Sequence, residues 1–203
     1  MSKHANIDAS QLPDYSSDIR APIWWGIVGL IAVEMTVFAT LIASFFYIQS
    51  NHAVWPPSGT APPGLVLPTL ATLILIASII PVYIADKAIR KGNAEPLKTL
   101  PLISVVLALG FLLIKAYEYN HIGFRWDTHS YGSLVWTMMG FHTAHVLAVI
   151  LKTFVIVYLA RRNYFNFERR IAVTVNGLYW YFVAIVWMPL YLTIYFGSRI
   201  WNA

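Results

Sequence analysis

Residues 24–47 read WWGIVGLIAVEMTVFATLIASFFY, an apolar run with one ionisable side chain, Glu34, near its middle. Crossing a bilayer takes about 20 apolar residues, so this run can span one. A carboxylate at membrane depth is costly, which makes Glu34 a candidate functional residue. At about 100° per residue, Gly29, Ala32, Thr36, Ala39 and Ala43 share one face. Small faces of this kind let helices approach closely in lipid. Glu34 falls on the opposite side, in a stripe with Ile27, Leu30, Phe38, Leu41 and Phe45. The wheel therefore points Glu34 away from the closest helix neighbour, toward a lipid cleft, a wet cavity or another subunit. A protonated glutamate hydrogen-bonded inside the bundle is the alternative, and the wheel alone leaves both open.

The same arithmetic extends to the whole chain. Of 203 residues, 58% are hydrophobic and 11% charged, too apolar for an ordinary soluble domain. Spans are predicted at about 22–48, 66–89, 100–119, 131–160 and 171–197. The sequence thus predicts an all-α protein: one five-helix transmembrane domain over 22–203, preceded by a polar arm at 1–21. That arm holds acids and resembles neither a signal nor a transit peptide. The chain has no cysteine, which excludes disulfides and thiolate metal sites.

Lys and Arg set the expected orientation. Lys3, Arg20, Lys87, Arg90, Lys91, Lys98, Arg161, Arg162, Arg169 and Arg170 fall on one side, and Arg125 and Arg199 on the other. The prediction is a cytoplasmic N-terminus and an external C-terminus. The basic loops are short and juxtamembrane, so anionic lipid rather than nucleic acid is the expected partner.

Trp55-Pro56-Pro57-Ser58-Gly59 reads as a stiff turn, and Pro81 is expected to kink the second span. Lys115 and Glu118 are three residues apart and can pair; for Lys115 alone, snorkelling to the interface is the plainer expectation. His142 and His145 are also three apart, with Lys152 continuing their face. Two histidines on one helix cannot bracket a haem, and the glutamates lie at different depths. No metal or haem is therefore expected in this chain. Hydrogen bonds across helices or to lipid headgroups are the expected use of the histidines. The aromatic run Leu178–Trp187 reads as core.

These stretches together resemble the cytochrome c oxidase subunit III family of the haem-copper oxidases, in its short five-helix bacterial form. Glu34 with the aromatics after it, the W-P-P-x-G turn at Trp55–Gly59, Glu118-Tyr119, Tyr131-Gly132-Ser133 and Gly140-Phe-His142-Thr-Ala-His145-Val carry the likeness. Arg161, Phe165 and Phe167, then Tyr179-Trp-Tyr-Phe-Val and Val186-Trp187, complete it. Tyr181 stands where longer members have His, Ala184 where they have Asp, Lys115 where Gln is frequent, and Thr143 where they have Gly. The resemblance implies an accessory role, with no catalytic residue and no cofactor in this chain. The haems and copper would lie in partner subunits: a catalytic subunit I, a subunit II and further small subunits. It implies bound phospholipid, support of proton uptake and a place in the bacterial cytoplasmic membrane. Glu34 becomes a carboxyl of a lipid-facing region and Arg161 a headgroup ligand; Glu118, His142 and His145 become polar residues of the bundle. A subunit accompanying a nitric oxide reductase and a small stand-alone transporter or proton channel are the alternatives.

Overall fold

Ala21 is extended and Pro22 opens the first helix, a position where a missing N–H costs nothing. The structure, a computed structural model, describes residues 21–197 and 199. The expected arm at 1–21 therefore lies outside the described residues apart from Ala21. Six helices follow: α1 (Pro22–Ser50), α2 (Val66–Ala77), α3 (Ile79–Ile89), α4 (Leu100–His121), α5 (Ser130–Arg161) and α6 (Ile171–Leu192). A short 3₁₀ turn at Glu95–Lys98 leads into α4, and a π-helical turn at Thr193–Gly197 extends α6. No strand occurs among the described residues.

α2 and α3 form one continuous span, Val66–Ile89, so five helices are long and apolar enough to cross a membrane. A one-residue break in the helix falls at Ser78, not at Pro81 where the kink is expected. Pro81 is the third residue of α3 and has no N–H for the turn before it. The break consequently lies one turn upstream. There the Ser78 N–H is shared between the Ile74 and Leu75 carbonyls, and its hydroxyl donates to Leu75 O at 2.6 Å.

α6 is the central helix. Of its most apolar stretch 67% is buried, against 11% for α1, and it packs on α1, α2, α3 and α5. Its register against α2 is fixed by polar rungs. Tyr191 pairs with Thr69 at 2.6 Å, Trp187 donates to Thr72 at 2.8 Å, and Trp180 donates to Ser78 at 2.9 Å. The partners run in opposite order along the two helices, as antiparallel neighbours require. In lipid there is little hydrophobic drive between helices, so such hydrogen bonds and close packing carry much of the specificity.

Two clusters close the ends. Ala85, Ile89, Leu97, Ile156, Ala160, Phe165 and Val173 pack together, bringing the arginine-bearing end of α5 beside the ends of α3 and α6. At the other end Trp55 is buried, edge-on to Phe45 and Tyr131 at 5.6 and 5.3 Å. The W-P-P-x-G turn therefore works as a plug of apolar surface over the helix ends.

His129 caps the start of α5, its Nδ1 accepting the Gly132 N–H at 2.9 Å. A methyl group on Gly132 would run into the Arg125 carbonyl and crowd the His129 ring. Gly132→Ala is expected to destabilise the bundle by about 1–3 kcal/mol, because backbone must move to admit it. Thermal unfolding in micelles would measure this, and an unchanged melting point would refute it.

Candidate functional site

Glu34 is placed by α1, and the structure reverses the direction read from the wheel. Ile27, Phe38 and Phe45 are the buried face of α1, while Gly29, Ala32, Thr36, Ala39 and Ala43 are exposed. The large stripe packs inward against the rings that α5 and α6 present. Phe38 lies 6.3 Å from Phe182 and 5.0 Å from His145, centroid to centroid. Glu34, in the same stripe, is carried into that interface.

There the Tyr179 hydroxyl donates to Glu34 Oε1 at 3.1 Å, and His145 Nε2 stands 3.6 Å from the same oxygen. The second carboxyl oxygen, Oε2, is buried without a hydrogen-bond partner among the described residues. The Lys152 ammonium lies 4.0 Å above the Tyr179 ring, within electrostatic reach of Glu34. One acid, one imidazole, one phenol and one amine thus meet in the middle of the spans, from α1, α5 and α6. Such a set can hold or exchange a proton, or receive a small polar group, where lipid alone would offer nothing.

His142 and His145 do not act together. His142 is fully buried, its Nε2 2.9 Å from the Val183 carbonyl. Its ring lies 4.6 Å from Trp187 and 5.6 Å from Phe111. His145 turns to α1 instead, its Nδ1 2.6 Å from Phe141 O. The expected hydrogen bond across helices is made by His142.

A second polar cluster sits near the plugged end. Lys115 does not snorkel. It is 1% exposed and its ammonium donates to Glu118 Oε2 and to the Tyr195 hydroxyl, both at 2.7 Å. Tyr195 in turn donates to Glu118 Oε1. The Trp187 ring lies 4.4 Å from the same ammonium and the Tyr195 ring 5.0 Å. An aromatic cage and a carboxylate thus replace water around the cation, which is how a lysine stays buried. The spacing of Lys115 and Glu118 foretold the pair. Tyr195 was not found from sequence, because nothing in the local pattern shows that the chain terminus returns to α4.

At the basic end Asp86 is nearly buried, receiving Arg90 Nε at 2.8 Å and the Thr174 hydroxyl at 2.9 Å. Arg161 is exposed at the last turn of α5 and has no ion pair among the described residues. Its neighbours stack cations on rings: Arg162 over Tyr158 at 5.2 Å and Arg170 over Phe167 at 4.4 Å. Among the described residues, no three His, Cys, Asp or Glu side chains converge as a metal site would need.

Five apolar spans, with ionisable clusters buried between them, define a multi-pass helical membrane protein whose polar groups face its own helices. Comparison with known proteins gives the particular family. The sequence profile described as cytochrome c oxidase subunit III matches residues 3–199, and the chain belongs to that family. A cytochrome c oxidase subunit 3 of Thermostichus vulcanus is 30% identical over 175 residues, covering 86% of this chain and 87% of the relative. The Rattus norvegicus protein of the same name is 32% identical over 185 residues, covering 87% and 70%. The one from Synechocystis sp. is 28% identical over 172 residues, covering 84% and 74%. The function is that of a non-catalytic subunit III of a haem-copper oxidase. Neither the nitric oxide reductase alternative nor the stand-alone transporter is supported.

Proposed function

We propose that this chain flanks the catalytic subunit of a bacterial haem-copper oxidase in the cytoplasmic membrane, holds phospholipid against it and supports its proton uptake. The family match over residues 3–199 carries this reading. In it, the haems and copper belong to subunit I and subunit II, with further small subunits beside them. Residues 22–203 act as one domain, the N-terminus faces the cytoplasm and the C-terminus faces outside. The excess of Lys and Arg at one end supports that orientation.

Glu34, with Tyr179, His145 and Lys152, is the intramembrane polar site of this reading. Glu118 and His142 brace the other half of the bundle. Arg161 is the headgroup ligand: an exposed guanidinium without an ion pair among the described residues, beside a rim of cations stacked on aromatic rings, suits a phosphate. Lys98 makes a useful control, because Glu95 already holds it at 2.7 Å. Arg161→Ala is expected to lose several-fold more bound anionic phospholipid than Lys98→Ala by native mass spectrometry. Equal losses would remove the role given to Arg161.

The reading as a whole is tested by purifying a tagged copy in mild detergent and recording a reduced-minus-oxidised spectrum. Haem bands and a larger membrane subunit are expected to travel with the chain. A colourless single component that stays folded would overturn it.

A further inference from the structure

Lys115 and Lys152 both lie inside apolar spans, and the fold treats them differently. The Lys115 ammonium has two oxygen acceptors within the chain. The Lys152 ammonium has a ring face, Tyr179 at 4.0 Å, and donates no hydrogen bond among the described residues. An ammonium carries three donors, so the ring leaves its hydrogen bonding unmet.

Lys152 also points the costly way. It precedes Arg161, the last residue of α5, by nine residues, about 13 Å along the axis at 1.5 Å per residue. Helical side chains lean toward the N-terminus of their helix, so Lys152 leans away from the Arg161 end. Its seat agrees, because Tyr179 is eight residues beyond Ile171, where α6 starts. The lysine therefore forgoes snorkelling to the nearer interface and keeps a charge where lipid solvates it poorly.

The ammonium can be approached from the side. Around Lys152 on α5, Val149 and Ile156 are buried, while Ala148, Leu151 and Val155 are exposed and Lys152 lies between the two faces. A helix laid along Ala148 and Val155 runs beside the ammonium, and the small Ala148 lets its backbone come near. Glu34 lies within electrostatic reach, and its Oε2 has no hydrogen-bond partner among the described residues. Two polar groups at one place on this surface thus lack partners within the chain.

We propose that Lys152 is a docking point for the catalytic subunit, one of whose membrane-spanning helices lies along Ala148–Val155 and presents a carboxyl side chain to the ammonium. The proposal rests on the reading of this chain as a flanking subunit and names the contact that holds it. One oxygen of the incoming carboxyl accepts from Lys152, and the other shares a proton with Glu34 Oε2. Two carboxyls that hold one proton between them carry a single negative charge, and the ammonium balances it. The joint therefore places no net charge in the membrane.

The test uses the assembled complex, purified through a tag on this chain, with haem per chain as the readout. If the unaltered chain brings no haem, the reading as a flanking subunit fails before this contact is reached. With the unaltered complex in hand, Lys152→Met is expected to lower haem per chain about tenfold at the detergent concentration that half-dissociates it, the effect of one hydrogen bond between charged groups. Lys152→Arg is expected to retain the partner. Unchanged haem in Lys152→Met would overturn the proposal, and so would an equal loss in both variants, which would trace the effect to shape rather than charge. A membrane-permeant carbodiimide identifies the other group, since it activates a carboxyl that an adjacent amine then captures as an amide. Mass spectrometry is expected to find Lys152 joined to an Asp or Glu of the larger subunit. Lys152 joined to Glu34 of its own chain, with no product between subunits, would mean that the lysine serves its own bundle and would overturn the proposal.

Discussion

Lys115→Met is expected to destabilise the bundle by about 3–5 kcal/mol, the scale observed when one partner of a buried ion pair is removed. The substitution keeps the volume and removes the charge. Glu118 is then left 8% exposed, with only Tyr195 donating to it. Tyr195 also loses the ammonium that reaches it at 2.7 Å. The aromatic cage gains nothing in return, since the Trp187 ring is placed for a cation at 4.4 Å. Equilibrium unfolding in micelles would report the loss. The decisive comparison is with Lys115→Met combined with Glu118→Gln, which deletes both charges. Replacing both partners of a buried pair is far cheaper than removing one, so the double variant is expected to recover most of the stability. If Lys115→Met alone unfolds like the unaltered chain, the lysine does not occupy the cage.

The Lys115 cluster also shows where sequence reading reaches its limit. Pairing of Lys115 with Glu118 follows from a three-residue spacing on one helix. Burial does not, because an isolated lysine near a span end reaches water more cheaply by snorkelling. What overrides that is Tyr195 and Trp187, which arrive from 80 and 72 residues away along the chain. No local pattern carries that information. The span boundaries, by contrast, were legible almost to the residue, since they depend only on apolar length and on Pro22, Pro101 and the basic loops.

Glu34 is legible as an exception, while the wheel leaves its direction open. Its cost in lipid marks it from sequence alone. Its aim depends on which face of α1 is the packing face, and two rules compete there. Small residues permit close approach, but large residues fill a wide interface, and α1 meets rings of Phe141, Phe182 and Tyr179 rather than a flat helix. The small face is left exposed, with no atom within 4 Å of a side chain added at Gly29. The alternative reading, a glutamate hydrogen-bonded within the bundle, is the arrangement that Tyr179 and His145 provide.

The second large effect is expected at Trp187. Its indole N–H reaches Thr72 on α2 at 2.8 Å. Its ring meets Phe111 on α4 at 5.3 Å, His142 on α5 at 4.6 Å and the Lys115 ammonium at 4.4 Å. One fully buried side chain on α6 therefore touches three other helices. Trp187→Ala is expected to cost about 3–5 kcal/mol, through lost contacts and the cavity left behind. Trp187→Phe keeps a ring in place, and Thr72 keeps its own bond to Pro68 O at 2.7 Å. The loss there is expected to be about 1 kcal/mol, the worth of one hydrogen bond. Combining Trp187→Ala with Lys115→Met distinguishes packing from cage. If the indole also serves as a wall for the ammonium, the two losses overlap, and the double variant is less damaged than their sum. Strict additivity in the unfolding free energies would mean that the ring packs the helices and contributes nothing to holding the buried charge.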